Sequence, residues 1–173
     1  MSRAPEKAPA SAIAVYSGGM DSTVMLSSML EDGIDVKGAL SIDYGQKHRK
    51  EIDAAVEICA ELGIEHSIAD LRGISALFGH SGLTDSETEV PEGHYEEDSM
   101  KQTVVPNRNM ILISVATAWA ITKEAEAIAY AAHSGDHAIY PDCRVEFADA
   151  LDEAIRLCDW SSVWLYRPFV NMS

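Results

Sequence analysis

An apolar run, Ala12 to Tyr16, passes through Ser17-Gly18-Gly19-Met20-Asp21-Ser22-Thr23 directly into a helical run, Thr23 to Leu30. This junction constrains the chain more than any other stretch, because a strand that turns at once into a helix opens a β-α unit with an elbow suited to anions. The two glycines let the backbone take positive φ and come close to an anion, which Ser17, Ser22, Thr23 and the free amides of the new helix then face. A Walker A loop is excluded, since it needs a longer Gly-x-x-x-x-Gly-Lys-Ser/Thr spacing and its lysine is missing here. A Gly-Gly turn capped by Asp and Ser is the plainer alternative.

The same unit recurs. The first helix stops at Gly33, and Val36 to Tyr44 reads as a second strand. Ile52, Ala55, Val56, Cys59 and Leu62 follow at i, i+3, i+4, i+7 and i+10 of a helix ending at Gly63. His66 to Leu71 reads as a short third strand, and Ile74 to Phe78 as one helical turn. After Pro106 comes an apolar helix, Met110 to Ile121, then Ala127 to Ala132 as a fourth strand. Arg144 to Trp160 places Phe147, Ala150, Leu151, Ala154, Ile155 and Cys158 on one helical face, and Val163 to Phe169 reads as a fifth strand. Strands alternating with helices predict an α/β fold: one domain with an open parallel sheet of about five strands, covered by helices on both faces. Ligands of such sheets sit beyond the carboxyl ends of the strands, where Ser17–Thr23, Tyr44–His48 and His133–Arg144 all fall.

Composition narrows the partners. A chain of 173 residues, 47% apolar, is long enough for one well-buried core. A net charge of -15 and a pI near 4.6 argue against nucleic acid, whose binding draws on Lys and Arg. Met1 to Ala10 reads as a loose tail without the apolar core of a signal peptide, and no window approaches a membrane span, so a cytosolic protein with no membrane partner is expected. Cys59, Cys143 and Cys158 are widely spaced and form no C-x-x-C pair, which suits a reducing compartment. Gly79 to Met100 carries seven carboxylates and no Lys or Arg; a lid and a plain solvated loop are equal readings.

Several side chains fit chemistry on a phosphorylated ligand. Asp21 would repel bare phosphate unless a cation lies between, and Mg2+ is the natural bridge; helix capping is its alternative role. Lys47, Arg49 and Lys50 group three of thirteen cations just past Asp43-Tyr44-Gly45-Gln46, as a phosphate or carboxylate clamp or as an ordinary helix start. His48 is either an acid-base group or an ordinary surface or core histidine. In Val104-Val105-Pro106-Asn107-Arg108-Asn109, Pro106 fixes the helix entry and Asn109 is a plausible cap. Arg108 at a helix N-terminus calls for an anionic partner, ligand phosphate being preferred to a protein carboxylate. Asp142 could accept the ring N–H and exocyclic amine of a guanine-like base; its plainer role is N-capping the helix at Arg144, and the two are compatible. Cys143 is a nucleophile or, preferably, a buried small side chain.

Ser17-Gly18-Gly19-Met20-Asp21-Ser22 resembles the pyrophosphate loop of the ATP pyrophosphatase (PP-loop) superfamily. Together with Asp43-Tyr44-Gly45-Gln46 and His48, Val105-Pro106-Asn107-Arg108-Asn109, Gly135-Asp136, and Tyr140-Pro141-Asp142-Cys143-Arg144 with Glu146-Phe147, it resembles the 7-cyano-7-deazaguanine synthase family from about Ile13 to Phe169. The resemblance implies an adenine nucleotide alpha hydrolase-like fold. It also implies an ATP-dependent ligase that turns 7-carboxy-7-deazaguanine and ammonia into the nitrile, preQ0, on the way to queuosine. By similarity, Tyr16, Ser17, Gly18, Gly19, Met20, Asp21, Ser22, Thr23, Val24, Met25 and Leu26 carry the ATP site. Tyr44, Gln46, Asn107, Arg108, Asp136, Asp142 and Arg144 face the substrate, Asp21, Lys47, His48 and Arg108 serve the chemistry, and a homo-oligomer, a dimer, is expected. The family also implies a four-cysteine zinc site near the C-terminus, which Cys59 and Cys143 cannot form by spacing, so the domain at 11–173 reads as shortened at that end. A nucleotide- or deazapurine-binding subunit and another PP-loop amidating or thiolating ligase are the alternative functions.

Overall fold

The computed structural model describes residues 7–45, 49–78, 107–132 and 140–170. Gln46, Lys47, His48, Asp136, most of the N-terminal tail and the acidic segment 79–100 lie outside them.

Five strands form one parallel sheet: β1 (Ser11–Val15), β2 (Asp35–Asp43), β3 (His66–Asp70), β4 (Ala127–Ala129) and β5 (Trp164–Tyr166), in the order β3-β2-β1-β4-β5. Four helices connect them: α1 (Met20–Glu31), α2 (Arg49–Leu62), α3 (Arg108–Thr122) and α4 (Val145–Arg156). The chain walks outward from β1 to β3, then returns to β4 on the far side of β1. With right-handed crossovers, that reversal sends α1 and α2 to one face and α3 and α4 to the other.

Side-chain size follows the two faces. Ala12, Ala14, Ala39, Ala127 and Ala129 make one face nearly flat, so Met25, Leu26 and Met29 of α1 and Ala55 and Cys59 of α2 pack close to the sheet. Ile13, Leu40, Ile42, Ile128 and Leu165 build the opposite face and meet Ile113, Ala116 and Ala120 of α3 and Ala148, Leu151 and Ile155 of α4. Burying each large side chain of this kind contributes about 1.5–3 kcal/mol. At Gly38 a Cβ would stand 2.5 Å from the Trp119 ring, so the β2–α3 contact needs glycine.

Several expected boundaries and faces move. Helix α1 begins at Met20, three residues before Thr23, because positive φ is needed only at Gly18, which leaves Gly19 free to take the N-cap. Asp21 and Ser22 therefore sit in the first helical turn. On α2, Val56 and Leu62 point outward, 44% and 48% exposed, while Ile52, Ala55 and Cys59 are buried. On α4 the buried face is Ala148, Leu151, Asp152 and Ile155, whereas Ala150, Ala154 and Cys158 are exposed. Asp152 is turned inward because its carboxylate accepts the Leu165 N–H at 2.8 Å and the Arg156 Nε–H at 3.0 Å. Strands β4 and β5 stop at three residues each, and the turn expected at Ile74 to Phe78 is a 3-10 helix spanning Arg72–Phe78. Among the described residues no helix is long and apolar enough to cross a membrane.

Candidate active site

A cavity of about 270 Å³ opens at the carboxyl ends of β1, β2 and β4. It lies where the strand order reverses, between β1 and β4, the position at which open α/β sheets bind ligands. Ser17, Asp21 and Ser22 supply one wall, Ser41 and Tyr44 another, and Arg108, Asn109 and Cys143 a third.

The loop after β1 is held by its own hydroxyls. Ser17 Oγ accepts the Gly19 N–H at 3.2 Å and lies 3.1 Å from Ser22 Oγ. The Gly19 carbonyl accepts Ser22 Oγ at 3.0 Å and Thr23 Oγ1 at 2.9 Å, and the Tyr16 hydroxyl stands 3.1 Å from Thr23 Oγ1. Gly18 has φ +80°, and a Cβ there would fall 2.0 Å from the Glu51 carbonyl oxygen at the start of α2. The loop is thus clamped between two helices. Gly19, lacking a side chain, leaves the first amides of α1 without a cap from its own position. A helix dipole, a helix start without a side-chain cap and hydroxyls at one cavity suit a phosphate chain. Asp21 lines the same cavity from the first helical turn, a carboxylate of the kind that shares Mg2+ with substrate phosphates.

Beneath the loop, Ser41 Oγ, 1% exposed, donates to the Tyr16 carbonyl at 2.6 Å and lies 2.8 Å from His66 Nε2. Since the only hydroxyl proton goes to the carbonyl, the ring nitrogen is the donor. Burial pushes the His66 pKa down, which keeps the ring neutral. Nothing local in the sequence joins Ser41 to His66; only the β2–β3 register brings them together.

Opposite the loop, Arg108 is the first residue of α3. Its guanidinium lies 5.5 Å above the centre of the Tyr140 ring. Burial alone would lower its pKa, but Tyr44, Asp142 and Cys143 outweigh that and hold it above the ordinary value. The N-cap of α3 is Asn107, exposed and in the left-handed conformation with no side-chain cap bond, so the cap expected of Asn109 is not there. The acceptor comes instead from 33 residues away: Asp142 Oδ2 takes the Asn109 N–H at 3.0 Å. Asp142 therefore caps α3, not the helix that follows it, whose N-cap Arg144 likewise has no side-chain cap bond. Asp43 is buried and accepts the Gly45 N–H at 3.0 Å, shaping the turn that presents Tyr44.

Over residues 11–173 the sequence matches the family model described as queuosine biosynthesis protein QueC. The chain belongs to the QueC family. The 7-cyano-7-deazaguanine synthase of Marinomonas sp. (strain MWYL1) is 50% identical to this QueC-family chain over 162 residues, covering 94% of it and 73% of that protein. The 7-cyano-7-deazaguanine synthase 2 of Colwellia psychrerythraea is 51% identical over 159 residues, covering 92% and 72%. Among solved structures, the U34-tRNA thiolase NcsA of Methanococcus maripaludis superimposes with a TM-score of 0.58 at 21% identity, over 94% of this chain and 52% of that one. The NH3-dependent NAD synthetase of Campylobacter jejuni gives 0.54 at 14% identity, over 96% and 60%. These two likenesses concern the fold alone, a parallel α/β sheet with helices on both faces.

Of the residues that the sequence singles out in this QueC-family member, the fold brings Tyr16, Ser17, Asp21, Ser22, Tyr44 and Arg108 to one cavity. Met25 and Leu26 are fully buried against the sheet and support α1 from beneath, while Met20 and Val24 face outward, 80% and 54% exposed. Asn107 and Arg144 are exposed, and Asp142 is half-buried beside the α3 N-terminus. Cys143 is 3% exposed at the cavity edge. Sequence reading missed Ser41, His66 and the buried role of Asn109, each of which acts through a partner distant in the chain.

Proposed function

We propose that this chain converts 7-carboxy-7-deazaguanine and ammonia to 7-cyano-7-deazaguanine at the expense of ATP, with the reacting carboxylate placed between the β1 loop and Arg108. The observation that carries the reading is the meeting of a phosphate loop and a buried-edge arginine in one cavity, in a chain half identical to proteins bearing that name. A carboxylate is a poor electrophile, so ATP must first turn it into a mixed anhydride that ammonia attacks. A second ATP activates the amide oxygen in the same way; that oxygen leaves with the phosphate group it has taken while the nitrogen gives up its two protons, and the nitrile remains.

The residues divide the work by position. Ser17 to Thr23 hold the ATP phosphates against the α1 N-terminus. Asp21 would hold Mg2+, which supplies positive charge to the phosphates when bound. Arg108 faces the negative charge that gathers where phosphate meets carboxylate. Tyr44 and the turn at Asp142 border the deazaguanine side; Gln46, Lys47, His48, Asn107, Asp136 and Arg144 remain assigned to substrate or chemistry by resemblance. Three free thiols favour a reducing, cytoplasmic setting. Outward-facing Met20 and Val24 favour a homo-oligomer. We read residues 11–173 as a single ATP-binding unit, in keeping with the span of the family match.

Turnover of 7-carboxy-7-deazaguanine, ATP and ammonium by wild-type protein and by Asp21→Ala tests the assignment. The variant is expected to fall by on the order of 10²-fold, the scale of losing one charge-stabilising group; equal turnover would remove Asp21 from the mechanism.

A further inference from the structure

Asn109 is only 8% exposed, and it is the second residue of α3, directly after Arg108. Its backbone N–H goes to Asp142 Oδ2 at 3.0 Å. Its side-chain Nδ2 donates to the Asp142 carbonyl at 3.1 Å and to Cys143 Sγ at 3.4 Å. Both amide hydrogens are therefore spent inside the protein, on one turn of 3-10 helix, Pro141–Cys143. That turn forms part of the surroundings of Arg108: Tyr140 immediately before it lies against the guanidinium, and Asp142 and Cys143 act on its charge, alongside Tyr44, which hydrogen-bonds it from just past β2.

We propose that Asn109 is a positioning residue for Arg108, a role that rests on the function proposed above. Its amide draws the turn onto the first turn of α3, and the turn then fixes where the guanidinium stands in the cavity. Few side chains can replace it. Serine is too short to reach both acceptors, aspartate has no hydrogens to give when ionised, and alanine offers nothing. Displacing a charge-bearing group by as little as 1 Å costs up to about 10²-fold in rate.

Two readouts separate placement from mere folding support. In the first, phenylglyoxal modification of arginines is mapped by mass spectrometry on the full chain, with Asn109→Ala and with Asn109→Ser, serine being well tolerated near a helix start. The substitution is expected to raise the modification rate at Arg108 by about fivefold or more while the other arginines keep theirs; an unchanged rate at Arg108 in both folded variants overturns the proposal. In the second, nitrile formation is compared for Asn109→Ser, Arg108→Ala and the double variant. Asn109→Ser should lower kcat by about 10-fold to 100-fold with the KM for ATP held within about twofold. Added to Arg108→Ala it should cost less than about twofold more, because residues acting through one another are non-additive; losses that multiply would overturn it. If wild-type protein forms no nitrile, the functional reading fails, and the arginine mapping still decides whether Asn109 places Arg108.

Discussion

At Gly18 one methyl group would decide whether the phosphate loop forms. A left-handed φ of +80° already disfavours any side chain, and a Cβ would overlap the Glu51 carbonyl oxygen at 2.0 Å. That neighbour is backbone, so relief requires α2 to move. Gly18→Ala is expected to abolish ATP binding in calorimetric titration and to lower stability by about 2 kcal/mol or more, on the scale of overpacking added to backbone strain; an alanine variant that binds ATP like wild type would contradict this account of the loop. The need for glycine here was legible from Ser17-Gly18-Gly19 alone, since few turns between a strand and a helix call for two of them. The pairing of Asn109 with Asp142 was not: it joins residues 33 apart, and the sequence offered each of them a local capping role that fitted equally well.

Helix α4 shows how an element can be found and its face still misjudged. Hydropathy placed Phe147, Ala150, Leu151, Ala154, Ile155 and Cys158 together, because a carboxylate at 152 counts as a surface residue. In the fold Asp152 is 4% exposed and satisfies the Leu165 backbone amide of β5, which rotates the buried face toward Ala148 and Ile155. Hydrogen-bond demand at a neighbouring strand, invisible to periodicity, sets the phase. Asp152→Ala leaves that buried N–H without its acceptor and should cost about 1–3 kcal/mol in thermal or denaturant unfolding. Asp152→Asn, which keeps an acceptor, should cost less; equal losses would show that packing rather than the bond governs the site. Between β2 and α3, Gly38→Ala forces the Trp119 ring aside and is expected to cost about 1–3 kcal/mol by the same measurement.

Across the whole molecule, the reversal of strand order between β1 and β4 does the most for function. It separates two loops at the middle of the sheet, opens the crevice, and lets the β1 loop and the α3 N-terminus face one another across it. Alternating β and α segments made the parallel sheet legible. The reversal was not read from sequence, since strand order depends on which edge each crossover chooses. The chain also carries a net charge of -15. Like-charge repulsion on that scale is screened once the Debye length falls to about 8 Å near 0.15 M salt. The thermal midpoint is therefore expected to rise from low to moderate NaCl; a fall would mean that favourable ion pairs outweigh the repulsion.

In the proposed function the β1 loop and Arg108 serve one reaction, the making of a nitrile from a carboxylate. Its most direct test is mass spectrometry of the products when the full chain is incubated with 7-carboxy-7-deazaguanine, ATP and 15N-labelled ammonium. The expected product is 7-cyano-7-deazaguanine carrying one 15N, formed only when ATP is present and consumed. Recovery of unchanged carboxylate, with ATP bound but not spent, would contradict it.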